Sequence, residues 1–247
     1  MSLCYVGLPS SSDEDWSYVS WFKTVSERTW GPYVRYQEVQ GWIPTPYLTR
    51  ERVTVVSFGL QTLKLPVEGP VSDADLCHAL TQHGYHRAVD FFIDCRSFSN
   101  RQHSTAHPGM HPDVLADLAA DAIFPEFMSE VQNTWQENLN RRRRRADVSS
   151  EGFLQITVAT FCNNGKHRSV GIQEHLLCIL TQEGFLVDTE CLAFRYWSKA
   201  TCRGTCSLCQ GIHHRKLDAL HASAKEWGCL SKSGVPLRAF LQRRYGR

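Results

Sequence analysis

The chain lacks any apolar run as long as a bilayer is thick, so it predicts no membrane span. Its opening segment, MSLCYVGLPSSSDEDW, has neither a basic start nor a long apolar stretch, which predicts no secretory leader and a cytoplasmic protein. A surplus of one charge sign is also missing. Lys plus Arg is 27 and Asp plus Glu is 25, and the resulting +2 excludes a surface that binds nucleic acid all over, though not a local basic patch. No internal repeat or long low-complexity tract occurs. No G-x4-G-K-[ST] occurs, so no ATP site of the P-loop kind is expected. Cysteine is not scarce. Of ten, three crowd between Cys202 and Cys209 while the others are scattered. That distribution points to reduced thiols with one local site, not to a disulfide scaffold.

What is present divides into three stretches. Residues 1–50 hold Trp16, Trp21, Trp30 and Trp42, with Pro32, Pro44 and Pro46 opposing a long helix, so an irregular, aromatic-rich N-terminal arm is expected. Residues 51–195 alternate apolar strands with helical patterns. VTVVSF at Val53–Phe58, AVDFFIDC at Ala88–Cys95, FLQITVATF at Phe153–Phe161 and FLVDTECL at Phe185–Leu192 read as strands. Ser72 followed by Asp75 predicts a capped helix ending near Gly84. A helical stretch from Asp113 to about Arg145 is expected to split at Pro125, whose ring clashes with the preceding turn. Ile172, Leu176, Ile179 and Leu180 share one helical face. The fold class is therefore α/β, a mostly parallel sheet with flanking helices, and the last two strands with their helix predict a βαβ unit with a parallel pair. Residues 196–247 form a basic extension rich in Cys and His.

The loop that carries chemistry is CNNGKHRSV, Cys162–Val170, between a buried strand and a helix. Ligands bind at such strand ends in open α/β sheets. Free amides of the first helical turn and the helix dipole favour an anion there. Gly165 lets the backbone curl, and Lys166 and Arg168 add positive charge. Cys162, Gly165, Arg168 and Ser169 also give the C-x-x-G-x-x-R-S pattern of cysteine-dependent phosphatases, in which Cys162 would be the nucleophile and Arg168 would hold the phosphate. Phe161 stands where that pattern has a His, and neither Asp94 nor Asp121 is a clear general acid.

The same residues resemble another family more fully. CNNGKHRSV is similar to the CTGGKHRSV of the C-terminal domain of the RNase adapter protein RapZ. Upstream, VSFG around Ser57–Gly59 resembles that family's ESFGF, and IDCRSFSN at Ile93–Asn100 resembles its VDVRFLPNP. The resemblance runs from about Val53 to about Leu192. It implies binding of a small phosphorylated ligand, an amino-sugar phosphate such as glucosamine 6-phosphate, by a sensor or adapter that also takes part in RNA binding. It places the ligand site at Asn163, Asn164, Gly165, Lys166, His167, Arg168 and Ser169, completed by Asn100 and His103 from the second loop. The sequence departs from the family at Asn163-Asn164, in place of Thr-Gly, and at His103, displaced by one position.

Two further groups stand out. Cys202, Cys206 and Cys209 form C-x3-C-x2-C, with His213 and His214 close behind, spacing that suits tetrahedral zinc with His213 as fourth ligand. A loop of free thiols is the alternative. On the zinc reading, the extension depends on the ion and the phosphate loop does not. Arg141, Arg142, Arg143, Arg144 and Arg145 end a helical stretch and are candidates for RNA backbone contact, or else a solvated helix C-terminus. His103, His107 and His111 recur every four residues, but Pro108, Gly109 and Pro112 oppose a helix, so no metal triad is expected there.

Overall fold

The computed structural model describes residues 16–20, 40–44, 51–99, 106–146, 154–198, 202–211 and 213–228. The chain divides into two units, 1–49 and 50–247. In the first, β1 (Trp16–Ser20) pairs antiparallel with β2 (Gln40–Pro44), Trp16 opposite Pro44 and Ser20 opposite Gln40. The arm expected to be irregular thus contains a strand pair. Both strands of this two-stranded sheet are edges, where a Pro such as Pro44 is tolerated.

The second unit is built on β3 (Glu51–Gly59), β4 (Phe91–Asp94), β5 (Leu154–Cys162) and β6 (Leu186–Cys191). They lie in the order β4-β5-β3-β6, every neighbouring pair parallel. One expectation needs correcting here. β5 and β6 are parallel but not paired, because β3 lies between them and bonds to both.

Side-chain alternation assigns the two faces. Val53, Val55, Ile156 and Val158 enter one core cluster, and Val56, Phe58, Ala159 and Phe161 enter the other. The first cluster also contains residues of α2 (Pro112–Ala119), α3 (Phe124–Ala146) and α4 (Arg168–Gln182). The second contains Leu76, Ala79 and Leu80 of α1 (Asp73–Gln82). Both faces of the sheet are therefore covered, as an all-parallel sheet requires.

Local signals set the helix ends. Ser72 caps α1, its Oγ accepting from Asp75 N at 3.1 Å. Pro125 sits in the first turn of α3, where its missing N–H costs nothing. Gln173 anchors α4 to the sheet. Its Nε2 donates to Val55 O at 2.7 Å and Glu190 O at 2.8 Å, and its Oε1 accepts from Ser57 Oγ at 3.0 Å. After β6 come α5 (Ser207–Gln210) and α6 (His214–Glu226). Among the described residues, no helix is long and apolar enough to cross a membrane.

Candidate functional site at the strand ends

The carboxyl ends of β3, β4 and β5 bring three motifs together. The loop after β5 bonds to the loop after β3 through Leu60 N to Cys162 O at 2.9 Å and Gln61 N to Asn163 O at 3.0 Å. Gly59 makes this approach possible. A Cβ on it would lie 2.4 Å from Asn164 C and 2.5 Å from Gly165 N. From β4, Asp94 grips the Arg96 guanidinium, Nη2 to Oδ2 at 2.5 Å. The carbonyls of Arg96 and Phe98 accept from Arg168 Nη1 at 2.8 and 3.0 Å. SFG, D-x-R and the GKHRS loop, far apart in sequence, are parts of one construction.

The loop curls around the Cys162 sulfur. Gly165 N donates to Sγ at 3.3 Å, Ser169 Oγ lies 3.3 Å away, and Gly165 adopts φ +65°. Cys162 and Ser169 are buried, and Thr160 Oγ1 donates to Ser169 O at 2.9 Å. Asn164 is exposed and Asn163 half-buried. Asn163 Oδ1 itself is enclosed and meets no hydrogen-bond donor among the described residues. His167 is the N-cap of α4, with no side-chain hydrogen bond capping the helix. The first-turn amides of α4 are left without a capping side chain. Arg168 opens the helix; among the described residues its acceptors are the two carbonyls that Nη1 reaches. Asn100 and His103 lie outside the described residues.

Lys166 is within electrostatic reach of the clustered cysteines. It is 9% exposed. Burial pushes its ammonium pKa down, while electrostatic interaction with Cys202 and Cys209 opposes that shift. Those cysteines belong to a compact cluster with His107 and Cys206, whose ligand atoms all lie within 4.8 Å of one another. Cys206 Sγ and Cys209 Sγ stand 3.7 and 3.8 Å from His107 Nδ1, and Cys202 Sγ is 3.8 Å from Cys209 Sγ. Burial opposes ionisation of Cys202. Hydrogen bonds from the backbone and thiol of Cys206 and from His107 outweigh it and bring the thiol to about 6. Burial and the neighbouring thiols push Cys209 far up.

The fourth member of the cluster is therefore His107. His213 lies outside it, its ring against that of His214 with centroids 4.2 Å apart. His107 precedes Cys206 by 99 positions, so spacing within the cysteine segment gave no hint of it. His111 caps α2 instead, its Nδ1 accepting from Asp113 N at 3.2 Å.

The Arg run ends α3, with Arg143, Arg144 and Arg145 in the last turn, where they complement the helix dipole. Two of the five are tied to the sheet. Arg142 pairs with Asp90 at 2.5 Å and Arg143 with Glu51 at 2.7 Å. Arg141 reaches Asn138 Oδ1, and Arg144 Nε donates to Asn140 O at 3.3 Å.

Residues 80–193, which include the Arg96 loop and the Cys162 loop, match the family described as the RapZ C-terminal domain. Over residues 80–193 this chain is similar to the RapZ C-terminal domain. Its similarity extends to curated proteins. A nucleotide-binding protein of Rhizorhabdus wittichii is 35% identical over 105 residues, 41% of this chain and 32% of that protein. One of Paramagnetospirillum magneticum is 30% identical over 110 residues, 43% and 34% of the two chains. One of Deinococcus radiodurans is 30% identical over 117 residues, 46% and 38% of the two chains. The match thus spans about a third of the length of these relatives. The RapZ C-terminal match stops at residue 193, before the three clustered cysteines, and of the cluster includes only His107.

Proposed function

We propose that the loop of residues 162–169 binds a small phosphorylated ligand, and that the domain acts as a sensor or adapter reporting that ligand. The observation that carries this reading is the convergence of Gly59, Arg96 and the uncapped start of α4 on one strand-end loop in a region similar to the RapZ C-terminal domain. Amides of residues 163–169, the Asn163 side chain and Arg168 supply the donors. An amino-sugar phosphate is the ligand implied by the family resemblance, with Asn163 and Asn164 available to its hydroxyl and amino groups. The relatives are named for binding a nucleotide. Because these 247 residues contain no G-x4-G-K-[ST], the ligand is assigned to the strand-end loop and not to a P-loop.

The test is a thermal-shift titration with inorganic phosphate, sulfate and glucosamine 6-phosphate. Wild type gains stability with anion concentration, and Arg168→Ala loses that increment whatever its starting Tm. A wild type indifferent to every anion contradicts the reading.

A phosphatase reading finds its donors around the Cys162 sulfur, but among the described residues both candidate acids are engaged. Asp94 is held by Arg96, and Asp121 Oδ2 accepts from Ser99 N at 3.1 Å and Ser99 Oγ at 2.6 Å. For RNA, the ion pairs of Arg142 and Arg143 narrow the candidate contacts to Arg141, Arg144 and Arg145, which line one open cavity of about 410 Å³ with Glu137 and Asn138. Contact there makes binding fall steeply with salt, and Arg144→Ala with Arg145→Ala reduces that slope. The Cys/His cluster suits a metal ion, and zinc is the ion proposed for it.

A further inference from the structure

We propose that His107, Cys202, Cys206 and Cys209 form a zinc centre that clamps the ligand loop, so that order in residues 163–171 depends on the metal. The part concerning anion binding rests on the function proposed above; the metal centre and the clamp do not.

The geometry of the cluster is that of four ligands around one ion. With Zn–S bonds of about 2.3 Å and Zn–N bonds of about 2.0–2.1 Å, a regular tetrahedron sets its sulfurs about 3.8 Å apart and each sulfur about 3.6 Å from the nitrogen. Three of the six observed separations match, 3.8 Å for Cys202 to Cys209 and 3.7 and 3.8 Å for His107 Nδ1 to Cys206 and Cys209, and all six lie within 4.8 Å. Three thiolates with one imidazole are a donor set that selects zinc over the oxygen-seeking cations. The supporting shell is built as well. Cys209 N donates to Cys206 Sγ at 3.4 Å, Gly204 takes φ +80° in the turn between the cysteines, and Cys202 N donates to Ala106 O at 2.8 Å beside His107. Three thiolates and a neutral imidazole around Zn²⁺ carry one net negative charge. A nearly buried lysine stands next to it: Lys216 Nζ donates to Cys209 O at 3.1 Å.

The clamp follows from what else those residues touch. Two positions after His107, Gly109 N donates to Lys166 O at 2.8 Å. Gly109 fits so closely against the start of α4 that a Cβ would lie 2.2 Å from His167 O and from Gly171 N. After β6, Trp197 Nε1 donates to Gly165 O at 3.3 Å. Cys209, Trp197, Met110 and Val170 share one small core, with Cys202 and Cys206 packed against it. A metal that joins His107 to the three cysteines therefore fixes both segments that hold the loop. On this proposal loop and metal are coupled, a departure from the independence expected from the sequence.

The experiment uses the full chain. Metal content is measured first, and zinc is then exchanged for Co²⁺, whose visible spectrum reports tetrahedral thiolate ligation. The expected result is one zinc per chain, a tetrahedral Co²⁺ spectrum, loss of both in Cys206→Ser and His107→Ala, and retention in His107→Cys and His213→Ala. Hydrogen exchange after chelation is expected to accelerate at least tenfold at amides of residues 106–111 and 163–171, with β3 and β5 unaffected. Reduced protein that takes up neither ion overturns the centre. Loss in His213→Ala with retention in His107→Ala overturns the ligand set. Metal removal that leaves exchange at 163–171 unchanged overturns the clamp. A zinc-loaded protein that shows the clamp and ignores every phosphate supports the proposal and counts against the ligand reading alone.

Discussion

Replacing Gly59 by Ala tests whether the strand-end loop owes its shape to backbone touching backbone. The added methyl would stand 2.4 Å from Asn164 C, 2.5 Å from Gly165 N and 2.7 Å from Asn164 O. Carbon atoms rest at about 3.5–4.0 Å, so the loop must withdraw by about 1 Å. No flexible side chain can yield in its place, because all three neighbours are main-chain atoms. Withdrawal stretches the bonds from Leu60 N to Cys162 O and from Gln61 N to Asn163 O, now 2.9 and 3.0 Å. Overpacking of this kind costs about 1–3 kcal/mol. For a unit of this size each kcal/mol is worth roughly 2–4 °C, so Tm should fall by about 2–12 °C. Differential scanning calorimetry with and without inorganic phosphate reads both effects, and the phosphate-dependent increment should vanish. Gly69→Ala is the control. Gly69 has φ +79° but open space around it, so its Ala variant should lose about 1 kcal/mol to backbone strain and keep its phosphate response. A Gly59→Ala protein with unchanged Tm and an intact phosphate response would refute the reasoning.

Other outcomes follow from the same contacts. Hydrolysis of an aryl phosphate should be slow, since Asp94 and Asp121 are both engaged and lack of acid assistance costs about a hundredfold or more; robust turnover abolished by Cys162→Ser would make this protein a phosphatase. Asp90→Ala removes the partner of Arg142 and the acceptor of Thr157 N at 2.8 Å, from a side chain only 6% exposed. It should lower stability by about 3 kcal/mol in urea denaturation, and a loss under about 0.5 kcal/mol would show the pair to be idle. Burial lowers the His175 pKa to about 4, from 6.5. The folded state therefore resists protonation that the unfolded chain accepts, and stability present above pH 6.5 is lost as pH falls toward 4. The loss is roughly 3 kcal/mol. His175→Leu should flatten that slope in denaturation series across this range, and leaves Ser223 Oγ its bond to Leu220 O at 2.8 Å. An unchanged slope would assign the acid sensitivity elsewhere.

Local signals were legible in the sequence where one segment carries them entirely. The alternation in VTVVSF sends Val53 and Val55 to one face and Val56 and Phe58 to the other. Ser72 and Pro125 mark helix starts by short-range hydrogen bonding and sterics. The order of strands was not legible. Nothing in β5, α4 or β6 announces that β3 will lie between the two strands, because that depends on pairing across the chain. Trp and Pro density likewise concealed the pairing of β1 with β2. At the site, the contiguous motif located the loop, but its side chains diverge. Lys166, counted among the anion donors by its charge, is nearly buried and within electrostatic reach of Cys202 and Cys209. His107 was missed because a helical period was demanded of His103, His107 and His111. A metal needs converging donor atoms, and a turn held by Gly109 delivers one without any helix.

Phosphate titration followed by amide chemical shifts in isotope-labelled protein tests the binding reading most directly, because it reports the place as well as the event. Saturable shifts at the amides of residues 163–169, with smaller ones at residues 96–98 where Arg168 is anchored, are the expected result. No saturable shift in the loop at any phosphate concentration, or shifts confined to residues 141–145, would contradict it.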